Sequence, residues 1–340
     1  MLTSASQSRS RKFRDESLAS DVPCDVYNNY SFGALDTETL HAETPLVSVI
    51  IPAFNPGEYL AVAIRSVVEQ TYGNWEIVVL DDGSTEDLSF VCSLDVRVRW
   101  IRQENQGVST ARNAAVAAAL GKYVAFLDAD DAWLPDKLRL QLAMFERQPA
   151  LGFCHTQFEM MDESGARGNP LLGVGFAEKG TSYEQLLRGC SVCISSVMMR
   201  RDVLQNIGVF DVTYESSEDY DLWLRVADGN EIGLVPSIQT QYRKHISNMS
   251  SNYWVLHNAS SHILQNHREK VRRNGNRAAL RAVMCGQHAV DLTYGSQAFD
   301  QLRLAMRRRD AKAVLRHGAY AFRYAPSYSL QSLLRYFLRG

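Results

Sequence analysis

Three stretches of the chain are almost continuously apolar, VSVII (Val47–Ile51), WEIVVL (Trp75–Leu80) and YVAFL (Tyr123–Leu127), and each ends abruptly in a polar cluster. Runs of this length without alternation predict strands buried on both faces. Between them, YLAVAIRSVVEQ (residues 59–70) places Leu60, Ile64, Val67 and Val68 at helical spacing, and GVSTARNAAVAAALG predicts an Ala-rich helix stopped at Gly121. VRVRWI (residues 96–101) alternates, as an edge strand does. Farther on, CISSVMMRRDVLQNIGVFD reads as a strand, a short helix and a loop. SSEDYDLWLRVADG reads as a helix with acids in its first turn, and residues 255–340 read as helical. The β/α alternation predicts a parallel sheet covered on both faces, where ligands gather beyond the carboxyl ends of the strands. The three polar clusters, Pro52–Asn55, Asp81–Ser84 and Asp128–Asp131, fall at those ends.

Composition narrows the class. The 340 residues are 46% apolar and 22% charged with a net charge of −2, so no overall field argues for nucleic acid. Residues 1–44 are rich in Ser, Asp, Arg and Asn and predict a disordered leader; residues 45–250 hold the alternating pattern, and residues 251–340 form a basic helical extension. The start of the chain lacks the apolar core of a secretory signal, and no run is long enough to span a bilayer, which suggests a cytoplasmic protein. Of the six cysteines only Cys190 and Cys193 are closely spaced, and no second pair completes a zinc site. From Gln301 to Gly340 nine Lys/Arg face one acid, interleaved with Leu, Tyr and Phe. Such a face suits an anionic membrane, with solvated helix faces packed on the body as the alternative and nucleic acid a distant third.

Asp128, Asp130 and Asp131 pose the central question, because like charges at the end of a buried strand need something positive. Lys137 is close in sequence, and a helix N-cap cluster is a second explanation, but hard oxygen ligands also suit Mg²⁺ or Mn²⁺ bridging to substrate phosphates. The stretches VSVIIPAFNPGEYLAVAIRSVVEQTYGNWEIVVLDDGSTED, ENQGVSTARNAAVAAALGKYVAFLDADDAWLPDKL and SSEDYDLWLRVA, in this order, resemble the family 2 glycosyltransferases of the GT-A fold over about residues 46–250.

The resemblance implies an α/β, Rossmann-like, mixed and mostly parallel sheet covered by helices on both faces, with a helical C-terminal extension. It implies nucleotide-sugar donor contacts at Pro52, Ala53, Phe54, Asn55, Glu58, Asp82, Arg112 and Asp128. Phe54 would lie against the base, unless it is a core aromatic. Asp82 would read a base N–H, with turn chemistry before Gly83 as a parallel role. Arg112 would grip a phosphate, unless it is a solvated helix arginine. Asp130 and His245 would be metal ligands, Asp131 a support or cap, and Arg243 and Lys244 contacts to the diphosphate. Asp219 would be the general base with Glu218 in support, although acids in a helix's first turn are also favoured by its dipole. The implied activity is an inverting, metal-dependent transfer from a nucleoside-diphosphate sugar, UDP-linked above others, to an acceptor hydroxyl of a glycan or lipid-linked acceptor in polysaccharide or glycolipid assembly. A non-catalytic nucleotide-sugar-binding protein and a nucleotidyltransferase are the rivals. The latter lacks its Gly-rich phosphate loop, and no G-x-G-x-x-G follows the first strand to support a dinucleotide dehydrogenase.

Overall fold

In the computed structural model, which describes residues 46–166, 182–190, 192–245 and 252–338, the apolar runs become strands β1 (Val47–Ala53), β2 (Trp75–Asp81) and β4 (Tyr123–Phe126). The expected leader and the expected boundary at residue 250 lie outside the described residues. The sheet has eight strands in the order β3-β2-β1-β4-β7-β6-β8-β5, completed by β3 (Val98–Arg102), β5 (Ala132–Trp133), β6 (Leu151–Met161), β7 (Val197–Arg200) and β8 (Glu231–Arg243). β3, β2, β1 and β4 are mutually parallel; β7 runs against both β4 and β6, β8 runs with β6, and β5 runs against β8. The alternating segment is the edge strand that its pattern predicts.

The continuous apolar character of β1, β2 and β4 follows from two cores. Ile50, Val78, Leu80, Val124 and Phe126 face one of them, with helices α2 (Val108–Ala118), α4 (Tyr183–Arg188) and α6 (Glu218–Ala227). Val49, Ile51, Ile77, Val79 and Ala125 face the other, against α1 (Tyr59–Val68) and α3 (Lys137–Arg147). Side chains of period two meet apolar partners above and below, and the buried polar exceptions near the strand starts, Ser48 and Glu76, bond each other at 2.5 Å. α2 ends at Ala118, short of Gly121, because Ala119 is already extended. α5 (Arg201–Ile207) completes the first core's surroundings.

Four helices follow: α7 (Tyr253–Arg273), α8 (Arg277–Arg308), α9 (Ala311–Tyr324) and α10 (Pro326–Leu338). They do not form a separate core at first. Ile263, Leu264 and Val271 of α7 and Ala279, Ala282 and Val283 of α8 belong to the same apolar cluster as Phe126 and Trp223. α8 passes so close to α4 that a Cβ on Gly286 would run into the carbonyl oxygen of Leu187. A small third cluster forms from Tyr253, Phe299, Leu302 and Tyr320. Among the described residues no helix is long and apolar enough to cross a membrane.

Candidate functional site

The loops at the carboxyl ends of β1, β2 and β4 are joined by side chains the sequence brings from far apart. After β1, Asn55 adopts a left-handed backbone (φ 45°); its N–H donates to Ser84 Oγ at 2.9 Å, and its Oδ1 accepts from Thr85 N at 2.8 Å and Thr85 Oγ1 at 3.0 Å. After β2, fully buried Asp81 accepts from Arg102 Nη1 at 2.7 Å and Ser84 N at 2.8 Å. Asp82 Oδ1 accepts from Gln103 Nε2 at 2.7 Å and Gln106 N at 2.9 Å, and Oδ2 accepts from Gly107 N at 2.8 Å. Gly83, at φ 81°, can have no side chain, since a Cβ there would stand 2.8 Å from Asn105 N. The two acids thus fix the loop that leads into α2.

The acids after β4 are arranged differently. Asp128, Asp130 and Asp131 offer oxygens that all lie within 4.8 Å of one another. They are not helix caps: the N-cap of α3 is Asp136, five residues beyond the last of them. Nor is Lys137 their partner. It is fully buried in the core, donates to Gln141 Oε1 at 2.8 Å and lies 4.0 Å from the centre of the Trp133 ring; burial drives its pKa down to about 7. Asp131 is buried, accepting from Ser195 Oγ at 2.5 Å and Arg243 N at 2.9 Å, and burial together with Asp130 and Asp128 pushes its pKa well up. Ser195 Oγ also accepts from Asp128 N at 3.0 Å, so one hydroxyl fixes both ends of the loop. Asp130 Oδ2 meets His245 Nε2 at 2.8 Å, and burial and the Asp128 charge raise its pKa against the pull of the imidazole.

These residues fit a divalent cation. Asp128, Asp130 and Asp131 offer oxygens close enough together to share such an ion, and His245 stands beside them, hydrogen-bonded to Asp130. Three carboxylates are the hard oxygen donors that Mg²⁺ or Mn²⁺ takes. Tyr59 stacks on the His245 ring at 5.5 Å and takes the Arg243 guanidinium over its own ring at 4.6 Å, which holds the histidine in place. Arg243 itself donates to the carbonyls of Asp130 (2.8 Å), Asp162 and Glu163 (both 3.1 Å), so it organises the loops around the acids.

A cavity of about 870 Å³ opens above these loops. Pro52, Ala53, Phe54, Asn55, Asp82, Arg112, Asp128, Asp130 and His245 all line it, together with Tyr59, Gly107, Tyr214 and Tyr242. Phe54 is 54% exposed there and is not a core aromatic. Glu58 is exposed at the start of α1 and is not among the lining residues. Arg112 is buried rather than solvated. Its Nη2 donates to Asp128 Oδ1 at 2.6 Å and its Nη1 to Glu218 Oε1 at 2.5 Å, so both terminal nitrogens that a phosphate grip would use are held by carboxylates. Burial disfavours its charge, but Asp128 and Glu218 outweigh this and raise its pKa. Asp219, next to Glu218 in the first turn of α6, is half-buried and lies outside the cavity lining. Burial and the neighbouring Glu218 push its pKa up to about 7, against the pull of Arg112. A carboxyl near neutrality can both hold and release a proton at physiological pH. Tyr59, Tyr214 and Ser195 were absent from the sequence expectations, because no local pattern marks them.

A profile of the family described as "Glycosyl transferase family 2" matches residues 48–208. A glucosyltransferase of Escherichia coli, WfgD, is 32% identical over 212 residues, covering 61% of this chain and 80% of its own length. The chain belongs to glycosyltransferase family 2. The WfgD name specifies transfer from UDP-Glc to α-D-GlcNAc-diphosphoundecaprenol in β-1,3 linkage, and TuaG of Bacillus subtilis, 32% identical over 217 residues (62% of this chain, 83% of its own length), is named a putative teichuronic acid biosynthesis glycosyltransferase. An uncharacterized glycosyltransferase of Rickettsia felis is 36% identical over 190 residues, covering 55% of this chain; the match spans only 31% of that longer relative. Staphylococcus aureus TarS 1–349, solved with UDP-GlcNAc, superposes with a TM-score of 0.51 at 17% identity over 78% of this chain and 88% of that one, a likeness of fold.

Proposed function

We propose that the chain transfers a sugar from a UDP-sugar to a hydroxyl of a glycan or lipid-linked glycan, with inversion at the anomeric carbon, in polysaccharide or glycolipid assembly. The observation that carries this reading is Glu218 at the head of α6, next to Asp219 in the chain and tied through Arg112 to Asp128 in the cavity lining. Donor and acceptor groups thereby share one charge network. Phe54 offers a face to the base. A carboxylate has about four lone-pair sites, and Asp82 engages three of them with Gln103, Gln106 and Gly107, which leaves one for a uracil N–H. Asp130 and His245, with Asp128 beside them, would hold Mg²⁺ or Mn²⁺, whose charge offsets that of the departing diphosphate. Asp219 takes the proton of the acceptor hydroxyl as its oxygen bonds to the anomeric carbon and the bond to the diphosphate breaks. One displacement of this kind inverts the centre. Donors named for WfgD and present in the TarS complex, UDP-Glc and UDP-GlcNAc, support the uridine assignment. Lipid-linked acceptors such as that of WfgD also favour a peripheral membrane contact through the basic C-terminal helices.

The test is release of nucleotide from UDP-, GDP- and dTDP-sugars with Mn²⁺ and then with EDTA, for the native protein and Asp219→Asn. Mn²⁺-dependent turnover of a UDP-sugar is expected, reduced about 10²–10⁴-fold in the variant while UDP affinity is kept. Turnover of GDP-sugars alone, or a variant as active as the native protein, would contradict the assignment.

A further inference from the structure

α9 has three sides rather than two. At 100° per residue, Tyr320 and Ala321 turn inward onto Tyr253 and Phe299. Ala311, Leu315, Ala319 and Phe322 form an outward apolar row, with Leu315 74% exposed. Beside it, Lys312, Arg316 and Arg323 form an outward basic row. On α10, Leu330 and Leu334 are also exposed, at 54% and 55%. Residues 303–334 carry seven Lys/Arg and one acid, Asp310. That acid is committed as the N-cap of α9, where its Oδ1 accepts from Ala313 N at 3.0 Å.

An exposed Leu/Phe row alone would be an unexplained loss of apolar burial. Next to a row of cations it has a specific complement: a surface that is apolar at one depth and negative just above it. An acidic protein offers the charge without the layered depth, and nucleic acid offers no apolar layer for Leu315 and Phe322. Long arginine side chains lying along apolar surface with their heads in water suit the same boundary. We propose that this face of α9 lies in the surface of an anionic bilayer, with its apolar row among the upper acyl chains and its basic row on lipid phosphates. This deepens the peripheral contact proposed above and does not depend on the donor chemistry.

The full-length protein is sedimented with phosphatidylcholine vesicles, with and without phosphatidylglycerol, at about 0.1 M and about 0.5 M salt. Binding is expected only with phosphatidylglycerol and is weakened by salt. Lys312→Ala, Arg316→Ala and Arg323→Ala combined should lower the partition coefficient about a hundredfold, since each cation near such a surface is worth about fivefold. Leu315→Ser with Phe322→Ser should lower it about tenfold at either salt. Both sets change exposed side chains, and circular dichroism checks the fold. Equal recovery in the supernatant with either vesicle overturns the inference. So does an unchanged partition of the Leu315/Phe322 variant, which would leave charge attraction alone, and so does equal affinity for an RNA oligomer at the same salt. UDP binding with Mn²⁺ is read by calorimetry in each preparation. A protein that partitions to vesicles but takes no UDP would sustain this inference and overturn the donor assignment.

Discussion

The molecule carries two clusters of aspartates at the ends of neighbouring strands, and they are balanced in opposite ways. Asp81 and Asp82, after β2, are surrounded by donors: the Arg102 guanidinium, the Gln103 amide and three backbone N–H groups. Asp128, Asp130 and Asp131, after β4, crowd one another within 4.8 Å, and burial and mutual repulsion push the pKa values of Asp130 and Asp131 upward. The residue type and the position relative to the strand are the same. The first cluster is a finished structural joint, whereas in the second the arginine that reaches Asp128 is shared with Glu218 and Asp130 meets an imidazole, so the acids outnumber the cations beside them. An incomplete charge balance is what distinguishes a place for an external cation from an internal brace.

The contrast can be broken most sharply at Asp130. Asp130→Asn should weaken Mn²⁺-dependent UDP binding about a hundredfold while leaving the metal-free protein as stable as before or slightly more so, because a repelling charge is removed. Calorimetry with and without Mn²⁺ checks the first part and urea unfolding the second. Asp81→Asn should show the reverse. Loss of the buried partner of Arg102 should destabilise the fold by about 2 kcal/mol, roughly thirtyfold in the folding equilibrium, measured by the urea midpoint at constant slope. If Asp130→Asn destabilised the metal-free protein more than Asp81→Asn, the distinction would be wrong.

A third acid gives the finest test. Asp219, with its pKa pushed up to about 7, must be ionised to accept a proton. The rate of transfer should fall about fivefold between pH 7 and pH 6, and this limb should be missing from Asp219→Asn. Stability has the opposite sign: a carboxyl whose folded pKa exceeds its unfolded value near 3.8 stabilises the fold at low pH and loses that contribution as pH rises from about 4 to about 7. Activity and stability should therefore move in opposite directions across this range, which rate and unfolding profiles can compare directly.

Most of the scaffold was legible because burial on both faces of β1, β2 and β4 leaves an unmistakable apolar run, and the edge strand β3 betrays itself by alternation. Strand ends located the cavity for the same reason. What the sequence concealed was pairing between distant positions. Arg112 and Glu218 are 106 residues apart, and nothing local foretells that the arginine's two terminal nitrogens are held by carboxylates. Ser195, in a segment without motif, braces Asp128 and Asp131 from 67 and 64 residues away. Tyr59 reads as an ordinary first-turn residue of α1 until β8 brings His245 and Arg243 against it. Glu58, its neighbour, is exposed and is not among the residues that line the cavity.

The close passage of α8 over α4 at Gly286 bears on how such a protein can be shortened or joined to others. Because the glycine lets two helices meet backbone to backbone, the long helix behaves as a keel fastened to the hull rather than as cargo tied behind it. A cut before α7 would strip Ile263, Leu264, Ala282 and Val283 from the core they share with Trp223. The turn at Arg309, where the chain bends through a left-handed residue between α8 and α9, leaves that shared core whole. For fusion or truncation, the working seam of this molecule is at residue 309, not at the edge of the region where family resemblance ends.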